Sequence, residues 1–230
     1  AMGIGTAMLP ALSGKYATKD FSEYKSLLMK SLTSVLYLAV PSAVGFIVLR
    51  EPLIRAIFNW GGRFTESNVP FVASILVLFS LAMISQSVVA IMNRAFYAGQ
   101  DTKTPLYTGL GTIILNIVFC VLFYHFTGFG AAGMALSYSI ISTVNSVMLL
   151  LLLNKKLKGI QLKKLFGFAK GVVPSVMVMG AALYILELLP VDYYSKSMQL
   201  LYLAFEILMG AAVYIAMTFV LKADIALYLI

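Results

Sequence analysis

The chain has 230 residues, of which 61% are hydrophobic and 11% are charged, and its mean hydropathy is +0.94. This composition excludes a soluble domain, whose surface would need far more charge. The net charge of +8 does not indicate a nucleic-acid partner, because the basic residues are distributed as in the loops of a membrane protein. The apolar residues fall in runs of about 20, enough for a helix to cross a hydrocarbon core of about 30 Å. We therefore predict an all-α, polytopic helical membrane protein with six full transmembrane helices and the end of a preceding one.

The first 49 residues predict the end of one helix and then a complete span. Residues 1–12 have the composition of a membrane helix that is broken at Pro10. Residues 15–30 interleave apolar and charged side chains, which predicts a short amphipathic helix at the interface. Residues 31–49 predict the first full span, which Pro41 should kink.

Five further spans follow, with short connections between them. They are predicted at residues 69–92, 105–126, 131–153, 171–189 and 198–221. Residues 50–67 predict an outer connection with a short interfacial helix, in which Phe58 and Trp60 lie among the headgroups. Residues 154–170 form a second basic amphipathic segment.

The lysines and arginines are divided unevenly between the two sides that alternating loops define. Arg50, Arg55, Arg63 and Lys196 fall on one side, and the other 13 of the 17 fall on the opposite side. Because cytoplasmic loops carry an excess of Lys and Arg, the second side is predicted to be cytoplasmic, together with the C-terminus.

The densest polar segment in the middle of the chain is residues 93–105, NRAFYAGQDTKTP. It predicts a helix, a tight turn at Gly99, and a new helix that Thr104 caps and Pro105 begins. Two interpretations of its charged residues remain open.

In the first interpretation, Arg94 and Asp101 pair and only fix the turn. In the second, Arg94, Asp101 and Lys103 form a cytoplasmic gate whose contacts break and re-form.

Polar side chains also form a stripe on the second span. Ala82, Gln86, Ala90, Asn93 and Tyr97 recur at steps of three or four residues, so they share one helix face. Such a face either makes hydrogen bonds to another helix or lines a wet cavity, and both alternatives remain open. Gln86, Asn93 and Tyr97 are therefore candidate cavity residues.

The third span carries a similar stripe, in which Thr108, Thr112, Asn116 and Cys120 repeat every four residues. Oxygen ligands suit a hard monovalent cation, but the stripe has no carboxylate, so helix packing competes with an ion or polar relay. Ser137 of the fourth span is a further relay candidate.

Glu206 is the one carboxylate well inside a predicted span, and it must be protonated, paired or exposed to water. It serves either a proton relay or substrate contact, or a neutral, hydrogen-bonded structural role. Glu187 lies three residues before Pro190, where the interface can solvate it. No catalytic residue, metal site or cofactor is predicted, because the loops lack a histidine–carboxylate cluster or a nucleophile motif. The single cysteine, Cys120, excludes an internal disulfide.

Two segments resemble motifs of the MurJ (MviN) family, the lipid II flippases of bacterial cell-wall synthesis. One is RAFYAGQDTKTP at residues 94–105, and the other is GIGTAMLPALS at residues 3–13. The second resembles a motif found roughly midway through family members. The resemblance thus implies the C-terminal half of a longer protein, with the missing N-terminal half as a partner.

The resemblance also implies a two-lobe exporter of the multidrug/oligosaccharidyl-lipid/polysaccharide superfamily that works by alternating access. Residues 1–14 would form the end of a preceding helix. Residues 15–153 would supply the amphipathic segment and four helices of the second lobe. Residues 154–230 would form a basic linker and two additional helices. Those two helices are expected to hold the undecaprenyl tail of lipid II, the undecaprenyl-diphosphate-linked muropeptide.

The implied location is the bacterial cytoplasmic (inner) membrane, among membrane lipids. Transport would be coupled to sodium, protons or the membrane potential, and the arginines that meet the headgroup are expected upstream of this chain. Two alternatives remain: a cation-coupled small-molecule antiporter, which needs a carboxylate such as Glu206 facing the cavity, and a non-transporting scaffold, in which the polar stripes only pack.

Overall fold

The computed structural model describes residues 2–58, 64–126, 128–161, 163–189 and 196–221. Its α-helices are α1 (Met2–Ala17), α2 (Phe21–Val48), α3 (Arg50–Phe58), α4 (Val69–Ala98), α5 (Lys103–Phe126), α6 (Ala131–Lys156), α7 (Lys163–Glu187) and α8 (Lys196–Val220). A 3-10 turn, Glu66–Asn68, precedes α4. Within these ranges six helices, α2 and α4 to α8, are long and apolar enough to cross a membrane. The predicted all-α fold is confirmed, and the protein is a multi-pass membrane protein.

Two predictions for the N-terminal region are wrong. Pro10 does not end α1, which continues to Ala17, because Met8 and Leu12 on either side of it are held in the core. No separate interfacial helix precedes the first span within the described residues, since α2 begins at Phe21 and runs unbroken to Val48. Its start is fixed by Asp20, whose side chain accepts a hydrogen bond from the Glu23 N–H at 3.1 Å.

The second basic segment is also divided differently from the prediction. It includes the end of α6 and the first turns of α7, which starts at Lys163 instead of residue 171. Between them the chain turns through Gly159, whose φ is 105°. The predicted interfacial position of Trp60 and the predicted cytoplasmic position of the C-terminus fall on residues outside the described ranges.

Helix α4 is the centre of the bundle. It packs between α2 and α6, with α1 against α2 and α4, α5 on the far side of α6, and the α7–α8 pair on the far side of α2. The buried phenol of Tyr24 donates a 2.6 Å hydrogen bond to the carbonyl of Ala95, so the start of α2 lies beside the end of α4. These two helices are therefore antiparallel.

Neighbouring helices alternate in direction through most of the bundle. The starts of α2, α5 and α7 consequently lie at the same end as the ends of α4, α6 and α8. Most lysines fall there, and we call this the basic end. The short helix α3 lies at the opposite end, where it packs against α4 and α8.

Candidate functional site

The turn between α4 and α5 contains the densest group of predicted site residues. Gly99 has a φ of −82°, and the left-handed residue of the turn is Gln100, with a φ of 55°. A side chain at residue 99 would instead meet α1, because a Cβ there would lie 3.3 Å from Cε2 of Tyr16. The glycine is therefore explained by close approach of α1 to the turn.

Asp101 organises the turn. Its carboxylate accepts hydrogen bonds from the N–H of Thr104 at 3.0 Å and from the Thr104 hydroxyl at 2.9 Å. The cap of α5 is thus Asp101, and the prediction that Thr104 caps this helix is wrong.

The ionic partner of Asp101 is Lys156 at the end of α6, with 2.8 Å between Nζ and Oδ2. The predicted pairing of Arg94 with Asp101 is wrong, because the Asp101 carboxylate contacts Thr104 and Lys156. The hydrogen bond from Lys156, followed by that from the Thr104 N–H, lowers the pKa of Asp101 from 3.8 to about 2. Lys156 Nζ also lies 5.7 Å from the ring centroid of Phe96.

The other two gate candidates do not belong to this ion pair. Arg94 Nη1 donates to the carbonyl of Ala90, one turn earlier on α4, at 3.1 Å. Lys103 is exposed at the first residue of α5. Nothing in the sequence distinguished Lys156 from its neighbour Lys155, and only the fold brings it to the turn.

The polar stripe of α4 divides into two parts. Gln86 Nε2 donates to Tyr138 Oη at 2.9 Å and to Ser142 Oγ at 3.0 Å, both on α6. Nearer the basic end, Asn93 has a buried Oδ1 without a hydrogen-bond partner in the described part of the chain. Tyr97 lines an open pocket with the first turns of α5. The structure thus joins Gln86 to α6 and places Tyr97 beside an open pocket at the surface.

The relay candidates of α5 and α6 meet each other. Asn116 Nδ2 lies 3.4 Å from Ser137 Oγ, and the Ser137 hydroxyl donates to the Asn116 carbonyl at 3.3 Å. Cys120 Sγ lies 3.6 Å from Asn116 Oδ1, and the Thr112 hydroxyl donates to Gly109 of its own helix at 2.8 Å. Within the described ranges, no three His, Cys, Asp or Glu side chains are grouped so that they could hold a metal ion.

Glu206 is separate from these polar groups. It lies on α8, which packs mainly against α7, α3 and α2, and its side chain is fully buried. Its neighbour across the helix contact is Glu187, at the end of α7. The sequence alone does not pair the two carboxylates, because their proximity depends on the register of the α7–α8 pair.

An apolar groove of about 560 Å³ lies between α2, α7 and α8. Residues that line it include Leu38, Phe46, Met179, Leu183, Ile207 and Tyr214. Leu38 and Phe46 are also exposed at the surface of the bundle, so the groove is open on the side of the bundle. The groove thus combines an apolar lining with lateral access.

The family of the chain follows from its sequence as a whole. A family model described as lipid II flippase MurJ matches residues 1–205. The chain belongs to the MurJ family. Lipid II flippase MurJ of Burkholderia cenocepacia is 33% identical over 159 residues, covering 67% of this chain and 30% of that protein. A probable lipid II flippase MurJ of Bdellovibrio bacteriovorus is 28% identical over 225 residues, covering 97% of this chain and 42% of that protein.

A solved MurJ structure has the same fold. Lipid II flippase MurJ in an inward closed conformation superposes with a TM-score of 0.77 at 22% identity, covering 97% of this chain and 43% of that chain. The chain therefore spans less than half the length of the MurJ proteins with which it is compared.

Proposed function

We propose that this chain is part of a lipid II flippase in the bacterial inner membrane. It helps to move an undecaprenyl-diphosphate-linked headgroup from the inner to the outer leaflet by alternating access. The observation that carries the proposal is the apolar groove on α2, α7 and α8, in a chain that belongs to the MurJ family. A groove of this kind suits a long prenyl chain, which needs apolar contact and no hydrogen bonds.

The groove is suited to the lipid tail and not to the headgroup. Its lining carries no charged side chain, and the basic residues that the structure describes lie toward the helix ends. A diphosphate needs Arg or Lys donors in a dry site. The headgroup contacts are therefore assigned to the part of the protein outside this chain.

The basic end is assigned to the cytoplasm, with the Asp101–Lys156 pair as part of a gate there. The excess of Lys and Arg at this end supports the orientation. The ion pair supports a gate because it is partly exposed and joins the α4–α5 turn to the end of α6. The same orientation puts the C-terminus in the cytoplasm.

The test compares two adjacent alanines on α8. Ala211 lines the groove, whereas the neighbouring Ala212 is exposed and does not belong to the lining. Full-length protein carrying Ala211→Trp or Ala212→Trp replaces the native flippase in depleted cells, and lipid II accessible on the outer leaflet is measured. Ala211→Trp should reduce it about tenfold, as expected for a loss of about 1.4 kcal/mol of tail binding. Equal activity of the two variants at equal protein levels would contradict the proposal.

The antiporter alternative is less well supported. It needs a carboxylate facing the polar surfaces of α4, α5 and α6, whereas Glu206 is buried on α8, which packs against α7, α3 and α2. Export of a cationic dye by the full-length protein, abolished by Glu206→Gln, would favour the antiporter.

A further inference from the structure

Glu206 is a buried acid without an evident partner. It lies in the third turn of α8, inside a membrane-spanning segment, and its exposed fraction is 0%. Neither of its carboxylate oxygens accepts a hydrogen bond from an amide, amine or hydroxyl donor among the described residues. An isolated carboxylate in such a place is very costly, so the group must hold a proton or a cation.

The register of α7 and α8 brings a second acid to it. A Cβ at residue 210 would lie 3.1 Å from Cδ1 of Leu183, so Gly210 and Leu183 face each other across the contact. The two helices are antiparallel. The residue four positions before Gly210 on α8 therefore faces the residue four positions after Leu183 on α7. These two residues are Glu206 and Glu187. Glu187 is half-buried at the α3 end, so it connects the sealed Glu206 carboxyl to the surface.

The cations near the pair already have partners. Arg50, Glu51 and Arg55 of α3 act electrostatically on Glu187. The Arg55 guanidinium donates to Glu51 and to Glu66, each at 3.0 Å, and Arg50 Nη1 donates to the Ile47 carbonyl at 3.0 Å.

The polar groups of α8 near this end are also bonded. Lys196 Nζ donates to the Arg55 carbonyl and to Gln199 Oε1. The Tyr202 hydroxyl donates to the Leu186 carbonyl at 3.3 Å. On α2, the nearest titratable side chain that faces α8 is Tyr37. Its hydroxyl is bonded to that of Thr218, which lies about three helical turns from Glu206 on α8. None of these contacts neutralises the Glu206 carboxyl.

We propose that Glu187 and Glu206 form a proton-binding site in which the two carboxyl groups share one proton and thereby hold α7 against α8. Two adjacent carboxylates repel each other in a medium of low dielectric constant, whereas one proton turns the pair into a hydrogen bond. The proton enters and leaves from the α3 end, through Glu187. Its release leaves two negative charges one turn from the Gly210–Leu183 contact, which separates the helices. This proposal does not depend on the flippase assignment.

The test is infrared spectroscopy of the full-length protein in nanodiscs at neutral pH. The wild type should show the carbonyl stretch of a buried carboxylic acid, and Glu206→Gln should abolish it. Glu187→Gln should shift the band, because Glu206 then bonds an amide. Glu23→Gln, which removes an exposed carboxylate paired with Lys15, should leave it unchanged. A wild-type spectrum without the band overturns the proposal, whatever the variants do. A band that Glu187→Gln leaves unshifted also overturns it, because Glu206 would then be an isolated acid.

A distance measurement tests the holding role. Spin labels at Tyr184→Cys and Leu208→Cys, both on exposed positions of α7 and α8, are introduced together with Cys120→Ser. The label separation should increase at the alkaline pH at which the infrared band disappears. Glu206→Gln, which cannot ionise, should keep the short separation at every pH. An unchanged wild-type separation after loss of the band overturns the holding role.

Discussion

Lys156 at the end of α6 is bonded to Asp101 in the α4–α5 turn, with 2.8 Å between Nζ and Oδ2. The same carboxylate caps α5 through Thr104. One side chain therefore connects the ends of three helices at the basic end.

The first prediction concerns the energy of this connection. Lys156→Gln should lower the free energy of unfolding in mixed micelles by at most about 1 kcal/mol, because the pair is partly exposed. Asp101→Ala should lower the free energy of unfolding by about 1 to 2 kcal/mol, since it removes the helix cap as well as the ion pair. Lys155→Gln, one residue earlier on α6, is the matched control and should have no effect. A loss equal to that of Lys156→Gln in this control would show that net charge, and not the pair, is responsible.

The second prediction is a pH dependence from the same residue. The pKa of Asp101 is lowered from 3.8 to about 2 by Lys156 and the Thr104 N–H. Because the folded state binds this proton less tightly, the stabilisation is complete above pH 3.8 and is lost as the pH falls through about 2. The free energy of unfolding should change more steeply with pH across this window in the wild type than in Lys156→Gln. Parallel curves for the two proteins would be inconsistent with the pair.

The third prediction concerns the contact between α4 and α6. Gln86 donates to Tyr138 at 2.9 Å, and a double-mutant cycle with Gln86→Leu and Tyr138→Phe should give a coupling of about 0.6 kcal/mol. Additive losses would mean that the hydrogen bond contributes nothing in the membrane. In that case Gln86 should be reconsidered as a cavity residue.

The fourth prediction uses two glycines of the α5–α6 hairpin. A Cβ at residue 133 would lie 3.0 Å from Phe123 Cβ and 3.2 Å from the Phe123 carbonyl oxygen, whereas nothing lies within 4 Å of one at residue 111. Gly133→Ala should therefore destabilise the protein by about 1 to 3 kcal/mol. Gly111→Ala should stabilise it by about 0.5 to 1 kcal/mol through helix propensity. Similar changes in thermal unfolding for the two variants would argue against close approach at Gly133.

Hydropathy and charge were sufficient to predict the six spans, because each span must be apolar over its whole length. They did not predict where helices begin in the polar segments. The start of α2 is decided by Asp20 and by burial of Tyr24 against α4, which is a tertiary contact. The cap at Asp101 instead of Thr104 is a difference of three residues, which the local sequence left undecided.

The candidate site was predicted by residue type but not by pairing. Asp101 was identified as part of the polar segment at residues 93–105, and Glu206 as a carboxylate inside an apolar span. Their neighbours Lys156 and Glu187 lie on other helices. The distance between the members of each pair depends on the angle and register at which the helices pack. Such partners follow from the three-dimensional arrangement alone.

Two hydrogen bonds join α2 to α8 deep in the bundle. The Tyr214 hydroxyl donates to the Tyr37 carbonyl at 2.8 Å, and the Tyr37 and Thr218 hydroxyls are bonded at 3.0 Å. A slide of α8 by one helical turn, about 5.4 Å, would break both bonds at once. The two helices therefore translate as a single body, and the α2–α8 wall of the apolar groove keeps its geometry during any rearrangement that leaves these bonds intact.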